Sequence, residues 1–129
     1  MRTLIIEDVG LLRNIMIKFL NEYGPCHIAE NGLIGIEKAQ TAILNHMAYD
    51  LICLDIMMPE KNGLEVLKNI RDLESKHPEV KPAKIIMITV ANDEKTIAAA
   101  RKLGCEDYLL KPANKTKVIQ AIRRLGLIQ

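Results

Sequence analysis

Short, solidly apolar runs alternate along this chain with stretches of helical periodicity. Leu4-Ile5-Ile6 is an apolar run closed by Glu7-Asp8. Leu11, Leu12, Ile15, Met16, Phe19 and Leu20 then fall on one helical face, and Gly24-Pro25 ends that helix. Cys26-His27-Ile28-Ala29 reads as a weaker strand, suited to a sheet edge. Asn31 is placed to cap a second helix with a core stripe of Ile36, Ala39, Ile43 and Met47. Leu51-Ile52-Cys53-Leu54 is a third strand closed by Asp55, and Leu64, Leu67, Ile70 and Leu73 stripe a third helix. Ile85-Ile86-Met87-Ile88 is a fourth strand closed by Thr89. Asn92 is expected to cap a fourth helix from Asp93 to Leu103, stopped by Gly104, on a stripe of Ile97, Ala100 and Leu103. Tyr108-Leu109-Leu110, closed by Lys111-Pro112, is a fifth strand, and Asn114 caps a last helix carrying Val118, Ile119, Ile122 and Leu125.

The pattern is a strand and a helix repeated five times. Strands separated by helices imply right-handed crossovers and a parallel sheet covered on both faces. The uninterrupted apolar runs of the first, third and fourth strands agree, because central parallel strands are buried on both sides. The expected fold is therefore α/β, a doubly wound (βα)5 domain with a five-stranded parallel sheet. The strand order 2-1-3-4-5 puts the weakest strand on an edge. In such sheets ligands bind beyond the C-terminal ends of the strands.

Composition narrows the field without naming a function. The chain has 129 residues, one domain's worth, read as a single domain over 1–129 with no fused output domain. No apolar run reaches the roughly 20 residues a spanning helix needs. Two acids interrupt the N-terminus before a secretory signal could form, and three scattered cysteines make no pair, so a reducing cytoplasm is expected. The charge is nearly balanced, 18 basic against 16 acidic side chains, and aromatics are 3%. A nucleic-acid surface or base-stacking platform is not expected from that.

The chemistry lies at the strand ends. Glu7 and Asp8 follow the first strand, Asp55 the third, Thr89 the fourth and Lys111 the fifth, so all meet at one rim. Any one of them alone is ordinary turn or cap material; five on the same rim are not. Packed carboxylates raise one another's pKa unless a cation sits among them. An all-oxygen pocket of this kind suits Mg²⁺, which also accepts phosphate oxygens. A carboxylate there can attack phosphorus to give an aspartyl phosphate, with a lysine and a hydroxyl neutralising the other phosphoryl oxygens.

Over essentially its whole length the chain resembles the receiver domains of two-component response regulators. The matching segments are Leu4-Ile5-Ile6-Glu7-Asp8, Asp55-Ile56-Met57-Met58-Pro59 with Gly63, Ile86-Met87-Ile88-Thr89, and Asp107-Tyr108-Leu109-Leu110-Lys111-Pro112. The resemblance implies a flavodoxin-like fold and phosphorylation of Asp55 by a histidine kinase or histidine phosphotransfer protein. It implies Mg²⁺ ligation by Asp8, Asp55 and the backbone carbonyl of Met57, with Glu7 acting through a metal-bound water. Lys111 would pair with the phosphoryl group and Thr89 would hydrogen-bond it. Tyr108 would swing inward as Thr89 moves, and the Lys111-Pro112 bond would be cis, as in much of the family. The signal is then expected to leave through the fourth helix, fifth strand and fifth helix, toward a protein target. Lys95, Arg101, Lys102 and Lys117 give that face a basic bias suited to an acidic partner. A monomer is expected, with a dimer as the alternative.

Two positions depart from the family's commonest pattern. Val90 stands where the family usually has Ala or Gly, and its branched side chain is expected to narrow access to Asp55. Met57 has no carboxylate or amide to orient an attacking water, which predicts a long-lived aspartyl phosphate. His27, His46 and His77 lack ligand spacing, and the last helix's Lys115, Lys117, Arg123 and Arg124 read as a solvated face. Met57-Met58 reads as a turn beside the acid pocket. Three rivals share the fold class. A flavin carrier needs a phosphate-cradling loop where Glu7-Asp8 would repel phosphate. An aspartyl-phosphate phosphatase of the dehalogenase type has a second Asp where this chain has Met57. A phosphorylation-independent interaction module has no need of Asp8, Asp55, Thr89 and Lys111 together.

Overall fold

The apolar runs become five parallel strands in the computed structural model, which describes residues 1–129. They are β1 (Thr3–Ile6), β2 (Cys26–Ala29), β3 (Leu51–Leu54), β4 (Lys84–Thr89) and β5 (Asp107–Leu110), in the order β2-β1-β3-β4-β5. Ile5 lies opposite both Ile28 and Cys53, and Leu54 lies opposite Met87. This register brings the C-terminal ends of β1, β3 and β4 to one rim. Every residue of β1 and β3 is buried, whereas β2 is partly exposed at its edge.

The connecting helices are α1 (Gly10–Leu20), α2 (Gly32–Leu44), α3 (Gly63–Ser75), α4 (Glu94–Lys102) and α5 (Lys115–Arg124). A single 3₁₀ turn, Asn21–Tyr23, extends α1 to Gly24, whose φ of 141° ends it. Four helices begin at a side-chain cap: Asn31, Asn62, Asp93 and Asn114 each accept backbone N–H groups of the first turn. Helix α1 begins at Val9 and has no such cap. The sheet divides two cores. On one face Leu4, Ile6, Ile52, Leu54, Ile85 and Met87 pack with α2, α3 and α4. On the other Ile5, Leu51, Cys53, Ile86 and Ile88 pack with α1 and α5.

The helical stripes differ in detail from periodicity. Leu11 is 70% exposed, because the covered face of α1 is centred on Met16 and Leu20. Met47 lies beyond the end of α2 and is exposed; the buried residues of α2 are Gly32, Gly35, Ala39, Ala42 and Ile43. Asp93 rather than Asn92 caps α4, accepting from the Thr96 N–H at 3.0 Å, so the helix starts at Glu94 and ends at Lys102. Of its stripe only Ala100 is fully buried. Met58 is buried as the turn reading implies, but its neighbour Met57 faces solvent.

At the rim opposite the strand C-termini, α3 buries a carboxylate where Leu73 was expected to carry the stripe. Arg71 Nη1 donates to Glu74 Oε1 (2.7 Å) and to the Ala83 carbonyl (2.8 Å). Its Nη2 donates to the Gly104 carbonyl (2.8 Å) and to the Glu106 carboxylate (2.9 Å). Those carboxylates accept the backbone N–H groups of Ala83 and Ile85. One guanidinium thus joins α3, the start of β4 and the α4–β5 loop.

Candidate functional site

Three loops deliver the acids and the ammonium. Glu7 and Asp8 continue β1, Asp55 continues β3, and Lys111 continues β5. Carboxylate oxygens of Glu7, Asp8 and Asp55 all lie within 4.8 Å of one another. The Lys111 Nζ donates to Glu7 Oε1 at 2.5 Å and to Asp55 Oδ2 at 2.9 Å. Asp55 Oδ1 accepts the Met57 N–H at 3.1 Å. Glu7 and Asp55 are each only 5% exposed. Burial pushes the Glu7 carboxyl above its ordinary pKa; Asp8 and Asp55 push the same way and Lys111 opposes them. Burial alone would lower Lys111, but its hydrogen bonds to Glu7 and Asp55 outweigh that and raise it.

Gly63, the first residue of α3, sits against this pocket. A Cβ there would lie 2.1 Å from the Asp55 carbonyl oxygen, so only glycine lets α3 start so close beneath Asp55. Val90 is 60% exposed and borders an apolar groove of about 360 Å³ shared with Leu12, Ile15 and Pro112, next to Glu7, Asp55 and Lys111. Met57 is equally exposed beside Asp55.

Thr89, the last residue of β4, is fully buried, and its hydroxyl accepts the Ala91 N–H at 3.3 Å. Its bond therefore runs to the β4–α4 loop, leaving the O–H free as a donor. The Tyr108 hydroxyl donates to the Ala91 carbonyl of the same loop at 2.6 Å, and its half-buried ring packs on the α2–α3–α4 core. The Lys111-Pro112 peptide is cis. The histidines stay outside the site: His27 bonds the Tyr49 hydroxyl (2.7 Å) and His77 lies near Glu79.

The pocket brings together Glu7, Asp8, Asp55 and Lys111 as the strand ends predict. One contact was not foreseen: Arg13 Nη1 donates to the Glu7 carbonyl at 2.8 Å. The sequence signal for it is faint, a basic residue one turn into the helix that follows an acid pair. Three carboxylates outnumber the Lys111 ammonium and the adjacent Arg13 guanidinium, and they form an oxygen-only donor set, which fits a hard divalent cation such as Mg²⁺. No helix is long and apolar enough to cross a membrane.

Comparison with known proteins finds the same fold elsewhere. A family model described as response regulator receiver domain matches residues 3–123. The chain is 31% identical to protein CcdB of Bacillus subtilis, over 96% of each chain. It is 30% identical to the chemotaxis protein CheY of the same organism, over 95% of each. Another relative is longer: the chain spans 48% of a probable transcriptional regulatory protein of Picosynechococcus, at 30% identity. Among solved structures, Vibrio cholerae chemotaxis protein CheY4 superposes with a TM-score of 0.81 at 23% identity, covering 95% of this chain and 96% of that one. A CheX–CheY complex with beryllofluoride and magnesium from Borrelia burgdorferi gives 0.83 at 22%, covering 99% and 90%.

Proposed function

The chain belongs to the response regulator receiver domain family, and on that premise we propose that Asp55 is a phosphoryl acceptor in a two-component phosphorelay. The observation that carries this is the Lys111 ammonium bridging Glu7 and Asp55, with Asp8 in the same cluster. An Asp55 carboxylate oxygen attacks the phosphorus of a phosphohistidine on a histidine kinase or phosphotransfer protein. The P–N bond breaks as the P–O bond forms, and the histidine leaves with its electron pair. Lys111, already 2.9 Å from Asp55 Oδ2, neutralises charge on the transferred group. The free O–H of Thr89 donates to a second phosphoryl oxygen.

Asp8, Asp55 and the Met57 carbonyl would hold Mg²⁺, with Glu7 acting through a bound water. When bound, the ion offsets carboxylate charge and the charge of the incoming phosphoryl group. In this reading the 129 residues act as one receiver unit, a switch rather than a turnover enzyme. Its unpaired thiols suit the cytoplasm.

The output follows from Thr89 and Tyr108, which share Ala91 as a partner. Drawing the Thr89 hydroxyl toward a phosphoryl group frees the Ala91 N–H, and the loop that Tyr108 holds repositions α4. The changed face is α4, β5 and α5, and its protein target carries acidic side chains toward Lys95, Arg101, Lys102 and Lys117.

The test is incubation with acetyl phosphate and Mg²⁺ followed by intact-mass measurement. Wild type gains one phosphoryl group only with the cation, and Asp55→Asn gains none. Undiminished labelling of Asp55→Asn refutes the assignment.

A further inference from the structure

We propose that Arg13 is a positioning residue for the divalent-cation site, aiming Asp8 by holding the peptide that joins it to Glu7. This rests on the metal reading above and adds a residue to it. The Arg13 Nη1 donates to the Glu7 carbonyl at 2.8 Å, fixing the plane of the Glu7–Asp8 peptide from which Asp8 departs. A carboxylate aimed from a loose loop would bind a cation weakly, because the ion selects ligand orientation as well as charge.

The need for such a clamp is visible in α1 itself. α2, α3, α4 and α5 each start at an Asn or Asp side chain that fixes the entering loop. Helix α1, the one that follows the acid pair, starts at Val9 with no side-chain cap and no acid in its first turn. Its nearest substitute is a long 3.4 Å contact from the Val9 N–H to Glu7 Oε2, an oxygen of the site's own carboxylate. A conventional Asx cap would place another oxygen acceptor on the loop beside the acids. Arg13 restrains the loop from inside the helix, bonding to the backbone and leaving the three carboxylates to the pocket.

Gly10 fits the same arrangement. A Cβ at Gly10 would meet Arg13 Nη2 at 3.3 Å, so the bare first turn leaves the guanidinium its path back to Glu7.

The positioning role and a simple charge effect have opposite signs. A cation near three carboxylates weakens Mg²⁺ binding through repulsion, so its removal would tighten binding. Loss of a positioning contact loosens it, by about tenfold for partners of this kind. The experiment titrates MgCl₂ into the full chain and follows the amide resonances of Asp8 and Asp55, with thermal midpoints measured alongside. Arg13→Met keeps the aliphatic stem and removes the donor. It is expected to raise the Mg²⁺ dissociation constant about tenfold at temperatures where the variant is fully folded. Arg13→Lys keeps a donor of similar reach and is expected to stay near wild type. Equal or tighter binding by Arg13→Met overturns the proposal. If Arg13→Met does not fold, Arg13→Gln replaces it, keeping a polar end without the guanidinium's reach to the Glu7 carbonyl. Reduced affinity with an undiminished midpoint then supports the role, and unchanged affinity overturns it. A wild type whose resonances do not respond to Mg²⁺ overturns the metal reading and this proposal together. Asp55 labelling that persists without the ion would then mark the acceptor chemistry as separate.

Discussion

Replacing Arg71 with methionine should destabilise the domain strongly while leaving phosphoryl acceptance intact. The Arg71 side chain is 19% exposed and its guanidinium faces the side chains of Glu74, at 7%, and Glu106, at 28%. Methionine retains the stem's packing but leaves Glu74 buried without its cation and takes donors from the Ala83 and Gly104 carbonyls. Removing one partner of a buried ion pair costs about 3–5 kcal/mol. Water reaches Glu106 and can replace part of what that carboxylate loses, so the lower end, about 3 kcal/mol, is expected. For a domain of this size that lowers the thermal midpoint by about 12 °C, at roughly 4 °C per kcal/mol. The assay is thermal and urea denaturation followed by circular dichroism, run on a cycle with Glu74→Gln. The glutamine carbonyl can still accept the Ala83 N–H, while its NH2 replaces the oxygen that faces Arg71, so that background removes the charge together with one Arg71 acceptor. Arg71→Met should cost at least about 1 kcal/mol less there. An Arg71→Met midpoint equal to wild type, or an identical cost in both backgrounds, would refute the reasoning. Asp55 lies at the opposite rim, so acetyl phosphate should still label the folded variant.

Gly63→Ala should lower the unfolding free energy from urea denaturation by roughly 1–3 kcal/mol or more, the cost of overpacking, because its Cβ meets the Asp55 carbonyl at 2.1 Å; an unchanged midpoint contradicts the close approach. Met57→Asn should speed loss of the Asp55 phosphoryl group, followed by intact mass. One added hydrogen bond to water, about 1 kcal/mol, corresponds to roughly fivefold in rate, and equal decay rules out water positioning there. Asp93 is held below the usual carboxylate range, first by the Thr96 hydroxyl and then by the Thr96 N–H. A depressed folded pKa stabilises above the unfolded value and loses that effect as pH falls through the folded one. The urea-midpoint advantage of wild type over Asp93→Ala should therefore shrink below about pH 4, and a constant advantage from pH 7 to 3 contradicts this.

What could be read from the sequence follows burial symmetry. β1, β3 and β4 are covered on both faces, so they stand out as unbroken apolar runs; the acids closing β1 and β3 are delivered to the pocket, whereas Thr89 at the end of β4 bonds to the loop that follows it. Asn31 and Asn114 were legible as caps because each stands alone before its helix. Before α4, Asn92 and Asp93 are adjacent and chemically equivalent as caps, so composition could not choose between them. Leu11 shows the limit of periodicity: the pattern marks an apolar sector but not how much of it a neighbour covers. The Arg71–Glu74–Glu106 group was invisible for the converse reason, since charged residues on a helix read as solvent-facing until an opposite charge arrives from 35 positions away. Arg13 escaped in the same way, because a bond to a backbone carbonyl leaves no trace in residue type.

The partition of the interior by the sheet has a consequence for how this domain tolerates change. α4 is rooted through Ala100 and Leu103 in the core it shares with α2 and α3, and α5 is rooted through Val118 and Ile122 in the core it shares with α1. The two helices flank the β5 edge of the sheet from opposite faces, so the proposed output face spans both yet answers to separate interiors. A shift of α4 spends contacts in one compartment and leaves the α1–α5 packing as it was. Substitutions beneath α5 and beneath α4 should accordingly combine additively in stability, so partner-facing sequence can drift on one helix without retuning the other.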